Sequence, residues 1–125
     1  LTDILDMQRK KTGKLFNFCC FAAGVIAKKN DKELKSLSKL GEDIGLLFQF
    51  ADDFIDINGS KKLAGKSIKK DHKKGKSTLV SLIGYEKAYS YASKLKKNIL
   101  SKLSKHGKKA DNLINTVEFI LERNF

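Results

Sequence analysis

Apolar residues recur at helical spacing through residues 4–26, at Ile4, Leu5, Leu15, Phe18, Cys19, Ala22 and Ile26. Thr2 or Asp3 can cap the start of this segment. The polar run Lys28-Lys29-Asn30-Asp31 ends it, with Asp31 as the expected N-cap of a second helix. That helix carries Leu37, Leu40, Ile44, Leu47, Ala51 and Phe54 along one stripe and should stop near Ile57, at the turn cluster Asn58-Gly59-Ser60. Ser77 or Thr78 then caps a short apolar helix (Leu79, Val80, Leu82, Ile83) interrupted by Gly84. A longer one follows through Ala88, Ala92, Leu95, Ile99 and Leu103 to Gly107, a natural C′ residue. Asp111 is the expected cap of a last helix carrying Ile114, Val117 and Leu121. No repeat and no convincing strand alternation interrupts this order, so the expected fold is all-α, one helical domain over residues 1–125.

Composition sharpens the picture. A chain of 125 residues has the length of one domain. Its 41% hydrophobic content, with 8 Phe and 3 Tyr, can build a core. The absence of Pro disfavours turn-rich β folds. Cys19 and Cys20, adjacent and the only two, exclude a disulfide framework and suit a reducing, cytoplasmic setting. They and Phe18 read as core residues, Tyr85, Tyr89 and Tyr91 as helix-packing residues, and His72 and His106 as solvated. No apolar run of about 18 residues is present, so membrane insertion is not expected. The start, Leu1-Thr2-Asp3-Ile4-Leu5-Asp6, has neither the basic n-region nor the apolar stretch of a signal peptide and reads like the middle of a longer chain.

Charge is the strongest compositional signal. With 26 Lys plus Arg against 14 Asp plus Glu, the net charge of +12 points to anionic partners. Residues 60–76 hold eight lysines and one acid, Asp71, a local +7 with few apolar anchors. Residues 59–76 therefore read as a mobile lysine-rich loop. Arg9 and Arg123 are the only arginines, which counts against base-reading nucleic-acid recognition. An amphipathic membrane helix would set its lysines opposite exposed Phe or Leu, whereas these cluster in a loop.

Candidate chemistry centres on Gln49-Phe50-Ala51-Asp52-Asp53-Phe54-Ile55-Asp56. Helical geometry places Asp52 and Asp56 one turn apart on a face, with Asp53 beside them and Gly41, Gly45 and Gln49 continuing the stripe. Three acids close together near a helix C-terminus repel one another and oppose the helix dipole. A divalent cation relieves both effects, and Mg²⁺ suits one or two carboxylates completed by waters and phosphate oxygens. The plain alternative is a solvated acidic patch. Gly65-Lys66 and Gly75-Lys76-Ser77-Thr78 place lysines beside flexible glycine, with a helix start behind the second pair to receive phosphate. The alternative there is a solvated loop. Lys11-Thr12-Gly13 adds another cation and a hydroxyl.

Taken in order, Lys11-Thr12-Gly13, Gly45-Leu46-Leu47-Phe48-Gln49, Asp52-Asp53-Phe54-Ile55-Asp56, Gly65-Lys66, Asp71 and Gly75-Lys76-Ser77-Thr78 resemble the trans-isoprenyl diphosphate synthases, especially the bacterial farnesyl diphosphate synthase branch. The resemblance covers nearly the whole chain. Asp52-Asp53-x-x-Asp56 looks like the second aspartate-rich motif of that family. The first such motif has no counterpart in these residues, so the chain resembles the C-terminal half of an isoprenoid-synthase helical bundle. Arg123 matches the basic tail of the family, whereas Phe125 departs from its lysine.

The resemblance implies a Mg²⁺-dependent prenyltransferase of isoprenoid biosynthesis that joins an allylic diphosphate, dimethylallyl or geranyl, to isopentenyl diphosphate. It implies metal binding at Asp52, Asp53 and Asp56, diphosphate contacts from Lys11, Thr12, Gln49, Lys66 and Lys76, and catalytic roles for Lys11, Thr12, Gln49 and Lys66. Its partners would be the two substrates, the N-terminal part of the same enzyme and a second copy in a homodimer. That N-terminal part is expected to cover the stripe Ile44, Leu47, Ala51 and Phe54 and the face around Phe16, Phe18 and Phe21, and the chain alone is expected to be inactive. A geranylgeranyl or longer-chain synthase is the alternative within the family. A non-enzymatic basic helical module binding nucleic acid or anionic membrane is the alternative outside it, but three clustered carboxylates serve no purpose on a phosphate-binding surface.

Overall fold

A computed structural model describes Asp6, residues 9–64 and residues 79–122, without the side chains of Arg9, Lys11 and residues 60–64. A wide π-helical turn, Arg9–Gly13, leads into α1 (Lys14–Ile26), followed by α2 (Asp31–Ala64). After the undescribed segment come α3 (Leu79–Ile83), α4 (Tyr85–Ser104), a 3₁₀ turn (Gly107–Ala110) and α5 (Asp111–Glu122). Among the described residues there is no strand, and the expected all-α class holds.

The axis of the fold is α2, whose 34 residues span roughly 50 Å at the standard helical rise. It starts at a reciprocal cap: Asn30 Oδ1 accepts the Glu33 amide at 3.0 Å, and Glu33 Oε2 accepts the Asn30 amide at 3.2 Å. The cap residue is therefore Asn30 rather than Asp31, because the longer Glu33 side chain can close the box only from that position. At its other end α2 continues through Asn58-Gly59-Ser60 to Ala64 instead of stopping near Ile57. These turn formers are tolerated inside a helix when its preceding turns are fixed by packing.

Around α2 the remaining helices build one core. Leu46, Leu47, Phe50, Leu79, Ile99 and Val117 are fully buried, from α2, α3, α4 and α5. The expected stripe of Leu40, Ile44, Leu47, Ala51 and Phe54 is buried, and Leu46 and Phe50 join it because α2 is covered on more than one side. Ile44, Leu47, Ala51 and Phe54 are thus covered within this chain, and no further segment is needed to cover them. The tyrosines pack as expected while keeping their edges in solvent: Tyr91 lies 5.5 Å from the Phe50 ring, and Tyr85 and Tyr89 lie 5.1 and 5.7 Å from Phe54. Asp43, nearly buried, sits between Lys39 at 3.0 Å and Lys102 at 3.1 Å and so ties α2 to α4.

The α1 helix departs most from expectation. Its predicted core stripe faces solvent, with Leu15 64%, Phe18 65% and Ile26 82% exposed, and Cys19 is exposed as well. The face that packs instead carries Gly13, Phe16, Asn17 and Gly24. A Cβ on Gly41 would fall on the Phe16 carbonyl and 2.7 Å from the Asn17 Cα, and one on Gly45 would fall 2.8 Å from the Gly13 Cα. Close backbone approach at Gly41 and Gly45 of α2 decides which face of α1 docks. Asn17 reinforces it by donating to Glu42 Oε1 at 3.0 Å and accepting from Ser38 Oγ at 3.1 Å.

α1 ends in a Schellman turn, with Lys29 N–H on Gly24 C=O at 3.0 Å and Lys28 N–H on Val25 C=O at 2.9 Å. Lys28 occupies the left-handed position, φ 53°, that a Cβ disfavours. Lys28→Gly is therefore expected to stabilise the chain by about 1 kcal/mol, read as a higher urea midpoint at unchanged slope.

Candidate functional site

Three predicted site residues meet where α1 begins and α2 passes beneath it. The close approach of Gly13 to Gly45 brings the turn before α1 down onto α2. Thr12 Oγ1 then donates to Gln49 Oε1 at 3.2 Å, and Gln49 Nε2 donates to Asp53 Oδ1 at 3.1 Å. One directed chain of hydrogen bonds runs from the Lys11-Thr12-Gly13 turn into the acidic motif. Lys11 lies in that turn, its side chain outside the described residues, as are Lys66, Lys76, Asp71, His72 and most of the predicted 59–76 loop.

The three carboxylates are not equivalent. Asp53 is 4% exposed, Asp52 is half-buried and Asp56 is exposed. The expectation of one acidic face clear of the core thus fails at Asp53, because the residue after Asp52 turns about 100° toward the α3 side of the bundle. The continuation of α2 to Ala64 also moves the motif out of the last turn, away from the negative end of the dipole. Burial raises the Asp53 pKa above its ordinary value, and the neighbouring Asp56 and Asp52 charges add to this. The Gln49 amide and the backbone N–H of Leu79, both donating to the carboxylate, pull it partway back. Asp53 Oδ2 is sealed from solvent without a hydrogen-bond partner.

The contact from Leu79 has no signal in the residue pattern, since it comes from a backbone amide on another helix. The glycines did carry a signal: Gly41 and Gly45 share a stripe with Gln49, the stripe that meets α1. Among the described residues no three His, Cys, Asp or Glu side chains converge as a metal cage. Asp52 and Asp56 offer hard oxygen donors on the accessible side of α2. That set fits a hard divalent cation completed by other oxygens, not a soft metal that seeks sulfur or imidazole.

Comparison with known proteins matches the chain to one family. The family model described as polyprenyl synthetase matches residues 1–117. The chain belongs to the polyprenyl synthetase family. It is 34% identical over 124 residues to a farnesyl diphosphate synthase of Micrococcus luteus, covering 99% of this chain and 43% of that protein. Geranylgeranyl pyrophosphate synthase 4 of Arabidopsis thaliana is 34% identical over 125 residues, covering 99% of this chain and 34% of the relative. A crystal structure of an FPP/GFPP synthase from Zymomonas mobilis, in its apo form, superimposes with a TM-score of 0.79 at 37% identity, over 96% of this chain and 38% of that one. The chain thus spans less than half the length of these polyprenyl synthetase relatives. No described helix is long and apolar enough to cross a membrane.

Proposed function

We propose that the protein is a prenyl diphosphate synthase in isoprenoid biosynthesis, joining an allylic diphosphate to isopentenyl diphosphate with Mg²⁺, in the cytoplasm and as a homodimer. The observation that carries this reading is the Thr12–Gln49–Asp53 chain, which binds the lysine-bearing turn to the acidic helix. That chain fixes the turn against the helix that carries Asp52 and Asp56, and in this reading Lys11 of the turn would add positive charge for a cation–diphosphate pair. Relatives whose names give farnesyl and geranylgeranyl products both align over nearly all of this chain, and the reading covers either product.

In this reading the allylic C–O bond breaks, a C–C bond forms to the isopentenyl double bond, and a proton is then lost from the new cation. A bound divalent cation would supply charge to the departing pyrophosphate. Asp52 and Asp56 would hold it from one side. Lys11, Lys66 and Lys76 would contact the diphosphate oxygens as fixed positive charges that need no reorganisation during the step. Thr12 and Gln49 would orient that wall. A nucleophilic side chain has no part in this chemistry.

Calorimetric titration of the intact protein with pyrophosphate tests the reading. Affinity is expected to rise at least about tenfold when Mg²⁺ is added, and this rise to vanish in Asp52→Ala. Affinity independent of metal and unchanged in Asp52→Ala would overturn it.

A further inference from the structure

The three acids of the motif differ in what they can reach. Asp53 accepts from two sides, from Gln49 Nε2 at 3.1 Å and from the backbone N–H of Leu79, the first residue of α3. Leu79 is itself fully buried. The Asp53 carboxylate therefore joins two helices and an amide side chain inside the core. Thr12 holds Gln49 by its oxygen, which leaves Gln49 Nε2 pointing at Asp53 and fixes the orientation of the amide. A Mg²⁺ ion needs a near-octahedral shell of oxygens, most of them waters or phosphate. Such a shell is approached from solvent. Asp53 Oδ2 is closed off from solvent, so a cation would reach it only if the atoms that cover it moved aside.

We infer that Asp53 is a positioning residue rather than a cation ligand: it locks Gln49 and the start of α3 to α2, and leaves Asp52 and Asp56 to face the cation and the diphosphate. The inference rests on the proposed function for the identity of the ligand, but its structural half stands on the burial of Asp53 and on its hydrogen bond from Gln49. It gives the motif a division of labour. Asp52 and Asp56, on the accessible side, meet ligand, and the acid between them holds the surface in shape. An Asn at position 53 keeps the acceptor that Leu79 and Gln49 need but gives up the charge that a metal ligand supplies.

The test measures two quantities on the intact protein: the gain in pyrophosphate affinity on adding Mg²⁺, and the hydrogen-exchange protection of the Leu79 and Val80 amides. In Asp53→Asn the gain is expected to stay within about threefold of wild type and the amides to stay protected, since one acceptor oxygen suffices for the lock. In Asp53→Ala the amides are expected to lose at least about tenfold in protection. Asp52→Asn is expected to do the reverse, abolishing the Mg²⁺ gain with Leu79 and Val80 still protected. Loss of the gain in Asp53→Asn to the extent seen in Asp52→Asn would overturn the inference, and so would unchanged protection in Asp53→Ala. Should Asp53→Ala fail to fold, Asp53→Asn still decides between lock and ligand. An absent Mg²⁺ gain in the wild-type protein would count against the proposed function, while the exchange arm would still test the lock.

Discussion

Gly45→Ala is expected to destabilise the chain by about 3 kcal/mol, whereas Gly59→Ala on the same helix stabilises it by about 1 kcal/mol. The two substitutions make the same chemical change, and intrinsic helix propensity favours alanine at both. They differ in what the new methyl meets. At Gly45 it would lie 2.8 Å from the Gly13 Cα and 3.2 Å from the Gly13 nitrogen, and backbone atoms cannot swing aside. At Gly59 nothing lies within 4 Å. The turn before α1 must lift off α2 to admit a methyl at position 45, and Thr12 moves with it, so the 3.2 Å bond to Gln49 goes too. For a domain of this size 1 kcal/mol corresponds to about 3–5 °C, so the two melting temperatures should move apart by more than about 10 °C. Equal shifts in both variants would mean that α1 does not dock through its glycines. A destabilised Gly59→Ala would mean that α2 does not continue beyond Asn58.

That pair of glycines also marks how much of the fold is legible in the sequence. Among the described residues, the order of the helices was legible because 3.6-residue periodicity and the stops at Lys28, Gly84 and Gly107 are local signals. Gly84 and Gly107 do take positive φ, 82° and 57°. The orientation of α1 was not legible. Periodicity identifies the apolar face of a helix, and for α1 that is Leu15, Phe18, Ala22 and Ile26, but the helix docks by the face where backbones can touch. Which of two faces wins depends on the partner helix, and Gly41 and Gly45 lie on a different element. The same limit applies in the acidic motif. Spacing places Asp52, Asp53 and Asp56 on neighbouring positions, while the backbone N–H that reaches Asp53 is that of Leu79, on a different helix.

On the proposed function, the 125-residue chain on its own is expected to give no measurable prenyl transfer, and addition of a segment matching the part of its relatives that it does not span to raise the rate by at least about 10³. Ionising an allylic diphosphate moves charge onto pyrophosphate within a dry pocket, where uncompensated charge is expensive. On the proposed function, the described residues would provide one wall for that charge, with Asp52 and Asp56 on α2 and the Thr12–Gln49 pair orienting it. In that reading a second wall would come from the length of the relatives that this chain does not span, since it covers only 43% of its Micrococcus luteus relative and 38% of its Zymomonas mobilis relative. The α1 face supports the same expectation on independent grounds. Leu15, Phe18, Phe21, Val25 and Ile26 lie exposed along one helix, an apolar surface larger than scattered single residues would make. The α2 stripe needs no such cover, since the chain already buries it. Leu15→Ser with Phe18→Ser should therefore weaken recovery of activity on mixing without lowering the stability of the isolated chain, because both side chains already stand mostly in solvent there. Prenyltransferase assay and light scattering, before and after mixing, read both effects. Full activity from the 125 residues alone would show that the second wall is already present in them.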